Sequence, residues 1–203
     1  MEAANIMTTD TFYNDDSALL IVDLQKDFCR NGLLEVADAD AIIPEINGWI
    51  LQAQVQKIPI YASRDWHPKN HVSFLDEGGD WPPHCIQDSD GAKFHPDLEL
   101  PSDAVVVTKG VRFDHDQNSV FDDTGLAYHF RKKNIKELYV CGLALDVCVL
   151  DSVLDALKEG FGVVLITTAT RPVDKEKARL ALSRMREAGA VLTQPDAFGT
   201  LIV

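Results

Sequence analysis

Two cysteines of this 203-residue chain lie close together in the segment CGLALDVCVLD, residues 141–151. Cys148 begins an amphipathic helical pattern, and Asp146 just before it is a candidate N-cap. A thiol in the first turn of a helix feels the positive end of the helix dipole, which favours the reactive thiolate. Cys141 lies in the apolar segment YVCGL, where a cysteine behaves as a small hydrophobic residue. The sequence therefore indicates Cys148 as the candidate nucleophile.

Two further residues could activate that thiol. Asp23 closes the apolar segment ALLIVD, and Lys109 follows the apolar run AVVVT. A carboxylate can accept the proton of a thiol nucleophile, and a nearby cation stabilises the thiolate. Each residue also has an ordinary interpretation, because an aspartate at a strand end often only caps a turn and a lysine there can be solvated. Asp23 and Lys109 can activate the thiol together only if the fold places both of them beside Cys148.

A second polar cluster lies in DWHPKNHVSF and WPPHC, which contain Asp65, His67, His71 and His84. Asp65 and His67 are two positions apart, so in an extended chain both side chains point to the same side. Carboxylate and imidazole ligands suit zinc, iron or manganese, and the four residues are candidates for one metal site. The alternative is a polar loop whose histidines bind backbone groups. Cys85 is a weaker candidate, because adjacent side chains rarely converge on one ion.

Short apolar segments that alternate with helical patterns must position these residues. The predicted strands cover residues 18–23, 58–65, 104–110, 137–143 and 162–168, with 190–194 as a sixth candidate. The predicted helices cover residues 41–56, 124–134, 146–160 and 173–189. Candidate helix ends are Thr124, Asp146 and Asp174 as N-caps and Gly160 and Gly189 as stops. This alternation predicts a three-layer α/β/α domain with a mostly parallel, doubly wound sheet of about six strands.

Ligands bind beyond the carboxyl ends of the strands in such a sheet. Asp23, Asp65 and Lys109 fall at the ends of the first three predicted strands, and Cys148 follows the fourth. We therefore expect these side chains at one edge. The irregular segment 67–101 is a long loop inside a compact domain, and loops of that kind are usually functional.

Charge and composition limit the classes of molecule that the protein can bind. The chain has 19 Lys and Arg against 32 Asp and Glu, a formal charge of −13 that repels nucleic acid and anionic membranes. No apolar run reaches the roughly 18 residues of a membrane span, and residues 1–16 contain no Lys or Arg, which argues against a signal or transit peptide. We expect a cytoplasmic protein, with nuclear access left open, that has free thiols. We further expect a flexible tail at 1–16, one domain at 17–203 and self-association into homo-oligomers.

Five segments together resemble a known family. LLIVDLQKDFC, ASRDWHPKNHVSF, WPPHC, VTKG and CGLALDVCV occur in the same order in the nicotinamidases of the isochorismatase-like cysteine hydrolases. The pair DWHP and WPPHC discriminates best, because other isochorismatase-like hydrolases often keep the Asp, Lys and Cys without the metal cluster. Leu145 stands where a small hydroxyl residue is more usual, and the segment KGVRFDHDQNSVF varies among members, so part of the substrate preference could be set there.

The resemblance implies a catalytic triad of Asp23, Lys109 and Cys148. It implies one divalent metal ion held by Asp65, His67 and His84. Zinc is the first choice for this ion, with iron and manganese as alternatives, and a contribution from His71 stays open.

The resemblance also implies how a substrate is held. It places a cis peptide between Leu143 and Ala144, and it directs the backbone amides of Ala144 and Cys148 at a developing oxyanion. We expect the ring of the substrate to pack near Phe28 and Trp81.

The implied activity is hydrolysis of nicotinamide to nicotinate and ammonia through a cysteine thioester, as a step of NAD salvage, with pyrazinamide as an analogue. The first alternative is a related hydrolase for another small amide or for isochorismate, which would not need the metal cluster. A nucleotide-binding module is a second alternative, although DLQKDF replaces the Gly-rich turn that it needs. A non-catalytic zinc protein or thiol sensor is the third.

Overall fold

A sheet of six parallel strands forms the centre of the structure. The computed structural model describes residues 13–193, so residues 1–12 of the predicted tail and residues 194–203 lie outside it. The strands are β1 (Ser17–Val22), β2 (Ile60–Asp65), β3 (Val105–Lys109), β4 (Glu137–Leu143), β5 (Gly162–Arg171) and β6 (Val191–Leu192). The helices are α1 (Ile43–Gln56), α2 (Leu126–Lys132), α3 (Cys148–Lys158) and α4 (Lys175–Glu187). Short 3-10 turns cover Lys26–Phe28, Ala39–Ile42 and Leu75–Glu77.

The strand order is β3-β2-β1-β4-β5-β6, and each neighbouring pair is parallel. The chain winds outward from β1 to β3, returns to the other side of β1, and then winds outward again to β6. The order therefore reverses between β1 and β4, whose carboxyl ends flank the crevice where such sheets bind ligands. The predicted doubly wound α/β/α fold is confirmed.

The first strand shows why the sheet is covered on both faces. Every residue of β1 is buried. Leu19 and Ile21 pack on one face against the apolar side of α1, whereas Ala18, Leu20 and Val22 pack on the other face. The core on that second face also contains residues of α2, α3 and α4, including Phe130, Val149, Val153, Leu182 and Met185. Alternating side chains that are all apolar are what a central parallel strand requires.

The helix ends follow the sequence only in part. Asp174 caps α4, since its carboxylate accepts the amides of Glu176 and Lys177, as predicted. The prediction that Asp146 caps α3 is wrong. Its two carboxylate oxygens accept the amides of Val173 and Asp174, at 2.8 and 3.0 Å, and so tie the turn before α3 to the turn before α4.

Two glycine stops are present as predicted, and one cap is shifted. Gly160 and Gly189 follow α3 and α4 with φ of +89° and +109°, a conformation that glycine adopts readily. The residue before α2 is Gly125 and not Thr124. The Thr124 hydroxyl still accepts the amide of Leu126, the first residue of the helix, at 3.2 Å.

The long connection between β2 and β3 folds back on itself. His67 pairs with Ile86 in an isolated bridge, in which the His67 amide donates to Cys85 O and the Gln87 amide donates to His67 O, both at 2.9 Å. A second bridge joins Phe74 and Trp81. These bonds bring the two histidine-containing segments together. None of the helices within residues 13–193 has the length and apolar character that a membrane crossing requires.

Gly142 lets β4 approach β1 next to the crevice. Its φ is +109°, and a Cβ atom at this position would overlap the carbonyl oxygen of Val22, the last residue of β1. The pairing of β4 with β5 also shifts register between Val140 and Gly142. The absence of a side chain at Gly142 therefore sets the spacing of the two strands that flank the crevice.

We predict that Gly142→Ala destabilises the protein more than Gly160→Ala. Both changes place a side chain on a backbone with positive φ, which costs about 1 to 2 kcal/mol. A Cβ at Gly160 meets no atom within 4 Å, whereas one at Gly142 overlaps Val22. The free energies of unfolding in denaturant should differ by more than about 2 kcal/mol, the scale of overpacking in a core. Equal losses in the two variants would contradict the close approach.

Candidate active site

Four predicted site residues meet at the carboxyl edge of the sheet. Asp23 directly follows β1, and Asp65 and Lys109 end β2 and β3, where they are register partners. Cys148 begins α3 just beyond β4. The fold therefore brings these side chains together from four consecutive strands, on both sides of the point where the strand order reverses.

Lys109 occupies the middle of this group and is fully buried. Its Nζ lies 2.9 Å from Asp23 Oδ2, 2.6 Å from Asp65 Oδ1 and 3.4 Å from Cys148 Sγ. Burial lowers the pKa of Lys109, but the Asp23 and Asp65 carboxylates outweigh it and raise that pKa well above the ordinary value. The lysine is therefore a permanent cation beneath the crevice.

The two carboxylates on this lysine differ in proton affinity. Burial raises the pKa of Asp23 above its usual value, and Lys109 offsets this only in part. Burial acts in the same direction on Asp65, but Lys109 and His67 hold its pKa well below the usual range. Asp23 is thus the better proton acceptor, as a general base needs to be, while Asp65 stays ionised.

Lys109 favours the Cys148 thiolate, as predicted, but other groups outweigh it. Burial raises the pKa of Cys148 well above its usual value. Lys109 opposes this shift, whereas Asp23 and Asp65 add to it. The resting group is therefore a thiol, and its reaction as a nucleophile requires a base at hand. Ligand atoms of Asp23, Asp65 and Cys148 lie within 4.8 Å of one another.

Ser63 fixes the orientation of Asp23. The Ser63 hydroxyl donates to Asp23 Oδ1 at 2.7 Å, and its oxygen accepts the Asp23 amide at 3.2 Å. Asp23 has a φ of +44°, which is unusual for a residue with a side chain. Strained backbone of this kind is commonly found at functional sites. Ser63 lies inside β2 and shows no sequence signal that would distinguish it from an ordinary strand residue.

Asp65, His67 and His84 form the second group. They are buried, and one ligand atom from each lies within 4.8 Å of the others. His67 Nδ1 lies 2.8 Å from Gly110 O, and His84 Nδ1 lies 2.7 Å from Pro82 O. A carbonyl oxygen only accepts hydrogen bonds, so both Nδ1 atoms carry protons. Both Nε2 atoms are then unprotonated, and each has a lone pair that can bind a cation. This is how metal-binding histidines are usually oriented, and the group fits a divalent metal ion.

His71 lies against this group but outside it. Its ring centre is 4.1 Å from that of His67, and its Nδ1 lies 2.7 Å from Ser73 Oγ. Its Nε2 is buried with no hydrogen-bond partner among the described residues. Burial and the neighbouring His67 lower the pKa of His71 to about 4, so the ring is neutral near pH 7. A neutral ring with an unpaired nitrogen is a suitable further ligand.

Two residues of the DLQKDF segment, which were not predicted as site residues, bind the backbone at the metal group. Gln25 binds the backbone of Asp65 twice, with its Nε2 donating to Asp65 O and its Oε1 accepting the Asp65 amide, both at 2.7 Å. Asp27 Oδ2 accepts the amide of Cys85, the neighbour of His84, at 2.7 Å. Cys85 itself is buried, and burial raises its pKa far above the ordinary value.

One cavity opens onto both Cys148 and the metal group. Its wall includes the residues predicted to contact a substrate, namely Phe28, Trp81, Ala144 and Cys148. It also includes the metal group, three residues that the sequence did not single out, Leu34, Val147 and Val173, and two from the segment KGVRFDHDQNSVF, Asp116 and Asn118. Asp116 and Asn118 belong to the FDHDQN segment.

The peptide between Leu143 and Ala144 is cis, as the resemblance implies. The Ala144 carbonyl accepts the amides of Val147 and Val149, at 3.1 and 3.0 Å. The amides of Ala144 and Cys148 donate to no described residue. Both residues line the cavity, so two N–H groups are available to a ligand beside the thiol. All four cysteines are free, as predicted, and all four are buried.

A thiol set beside a carboxylate and a buried cation, at the reversal point of a doubly wound sheet, is the arrangement of a hydrolase with a cysteine nucleophile. The family model of the isochorismatase domain matches residues 17–196, and the chain belongs to this family.

Individual relatives are similar over most of their length. The nicotinamidase of Escherichia coli is 39% identical over 198 residues, which cover 86% of this chain and 93% of the relative. The structure of a pyrazinamidase from Pyrococcus horikoshii in complex with zinc matches with a TM-score of 0.85 and 41% identity, over 88% of this chain and 99% of that one. An L. infantum protein in complex with nicotinate matches with a TM-score of 0.81 and 37% identity, over 87% and 91%.

We predict that Lys109→Met destabilises the protein by about 3 to 5 kcal/mol at pH 8, because it leaves two buried carboxylates without their cation. Loss of that cation raises the pKa of Asp65 in the folded state. A carboxyl group with a raised folded pKa destabilises the fold as pH rises through the unfolded value, so the penalty should be smaller at pH 5. Denaturant unfolding at both pH values measures this.

The double variant Asp23→Asn with Lys109→Met is the control for the Lys109 prediction. Removing one of the two carboxylates should recover part of the loss, which appears as a coupling free energy in the double-mutant cycle. Independent effects of the two substitutions, or a penalty that does not change with pH, would contradict the assigned role of Lys109.

Proposed function

We propose that this chain is a nicotinamide amidohydrolase, which converts nicotinamide and water to nicotinate and ammonia. The observation that carries the proposal is the position of the Cys148 thiol, which shares one cavity with the metal group and lies against Asp23 and Lys109. The nicotinamidase of E. coli and the nicotinate-bound L. infantum protein support this choice of substrate.

The reaction begins with proton transfer from the Cys148 thiol to Asp23. The sulfur then attacks the carboxamide carbon, and the carbonyl oxygen takes up the negative charge. The free amides of Ala144 and Cys148 donate to this oxyanion, and each such donor contributes on the order of 3 kcal/mol in known enzymes. Asp23 returns its proton to the nitrogen, the C–N bond breaks, and ammonia leaves a thioester on Cys148.

Water completes the reaction. Asp23, again ionised, accepts a proton from a water molecule that attacks the thioester carbon. The C–S bond breaks, the sulfur recovers the proton from Asp23, and the product acid leaves and gives its own proton to solvent as nicotinate. Lys109 keeps its charge throughout and offsets the negative charge on Asp23 and on the sulfur. The raised pKa of Asp23 makes it a stronger base than an ordinary carboxylate, as its role as proton acceptor requires.

Aromatic side chains line the cavity, as suits an aromatic substrate ring. Phe28 and Trp81 contribute aromatic surface, and the metal group lies at the same wall. We propose that Asp65, His67 and His84 hold one zinc ion, as supported by their donor atoms and by the zinc-bound pyrazinamidase of P. horikoshii. A bound zinc ion would supply a Lewis acid for a neutral donor atom of the substrate, such as a ring nitrogen.

We predict that purified protein releases ammonia from nicotinamide and that Cys148→Ala lowers kcat/KM by at least about a thousand-fold, as loss of a nucleophile does. Cys141→Ala is the matched control, because Cys141 is also buried but lies in β4 with its Sγ 3.8 Å from Leu20 O. It should retain activity. Ammonia release by both variants, or by neither, would contradict the assignment of Cys148 as the nucleophile.

We predict that His84→Ala lowers zinc affinity by at least about 100-fold, more than loss of a group that only orients a ligand. His115→Ala is the control, because its side chain is 45% exposed and pairs with Asp114 and Asp123. Zinc content after dialysis and competition with a chromophoric chelator measure affinity without reference to activity. Unchanged zinc content in His84→Ala would overturn the ligand assignment. Adding zinc, iron or manganese to chelator-treated protein should show which ion restores ammonia release.

A further inference from the structure

The cavity has an uneven distribution of charge. Two carboxylates, Asp65 and Asp116, lie on its wall, and no lysine or arginine is among the described residues that line it. Lys109 is fully buried behind the wall, in contact with Asp23 and Asp65. Asp116 forms no ion pair within residues 13–193, and it is thus the one lining carboxylate without a cationic partner.

The position of Asp116 is fixed by the loop that carries it. The next residue, Gln117, is buried, with its Oε1 accepting the amide of Val111 at 3.0 Å and its Nε2 donating to Asp122 O at 2.6 Å. Asp116 Oδ1 accepts the amide of Gln117 at 2.9 Å. Its charge also reaches His71, beside the metal group, where it opposes the lowering of the His71 pKa by burial. The carboxylate of Asp116 is therefore fixed in position at the cavity wall.

A substrate amide and its product acid differ in charge far more than in shape. Nicotinamide is neutral, whereas nicotinate is an anion of nearly the same size near pH 7. A fixed carboxylate on the wall repels the anion and has little effect on the neutral amide. The charge of Asp116 can therefore separate two molecules that the aromatic walls accept equally well.

We propose that Asp116 is a specificity-determining residue, which favours neutral aromatic carboxamides over the corresponding carboxylates and so limits inhibition by the product. This inference rests on the proposed function, because it concerns the product of that reaction. In this proposal, the FDHDQN segment distinguishes the neutral amide from the anionic acid by charge, without contacting the reacting atoms.

The test compares wild-type protein with Asp116→Asn, both loaded with zinc. The inhibition constant of nicotinate should fall by about three- to ten-fold in the variant, the range expected for one partly screened charge. KM for nicotinamide should stay within about two-fold. The difference in nicotinate inhibition should shrink in 1 M NaCl, where the screening length is about 3 Å.

Two variants serve as controls. Asp116→Glu keeps the charge and should keep the weak inhibition by nicotinate. Asp114→Asn removes a charge two residues away, from an exposed carboxylate that already pairs with Arg112, and should change nothing. Zinc content is measured for each variant, so that a lost ion is not mistaken for a lost charge.

Several results would overturn the proposal. Parallel changes in KM and in the nicotinate inhibition constant would mean that Asp116 acts through shape or direct contact. An unchanged inhibition constant, with normal hydrolysis of nicotinamide, would remove the role of Asp116 and leave the proposed function intact. If wild-type protein with zinc releases no ammonia from nicotinamide, the proposed function fails and the role of Asp116 falls with it.

Discussion

One buried cation organises this structure. Lys109 brings its charge to the place where β1, β2, β3 and the start of α3 converge, and its Nζ contacts Asp23 just after β1, Asp65 at the end of β2 and Cys148 at the start of α3. Two carboxylates buried this deeply repel each other and lose their hydration, and only an opposite charge in contact with both makes the arrangement tolerable. The position of the strand ends and the chemistry of the site therefore depend on the same lysine.

The same lysine gives its two carboxylates different properties. His67 as well as Lys109 lowers the pKa of Asp65, which remains ionised, whereas the negative charge of Asp65 adds to burial in raising the pKa of Asp23. Paired titratable groups that are driven apart in this way are typical of acid–base catalysis. The ionised member belongs to the metal group and the member of raised pKa lies by the thiol, so a single charge network serves both halves of the site.

Features that depend on local residue pattern could be predicted from the sequence. Apolar period and residue type predict the strands and place Asp23, Lys109 and Cys148 at one edge, because strand ends in a parallel sheet meet by geometry. Other features depend on neighbours that are distant in the sequence. Asp146 resembles a helix cap, but two amides from a later loop occupy its carboxylate. The proton affinity of Cys148 likewise follows from depth and surrounding charge, which no short motif records.

The strand that carries Lys109 is at the border of the sheet, with β2 on one side and no strand of the described residues on the other. Border strands open by local fluctuation more readily than central ones, since only one set of backbone hydrogen bonds holds them. A brief detachment of β3 would remove the cation from the crevice while β1, β4 and the rest of the sheet stay folded. Heat or mild denaturant would then abolish activity before the molecule unfolds. The amide protons of residues 105–109 would exchange with solvent through the same local opening.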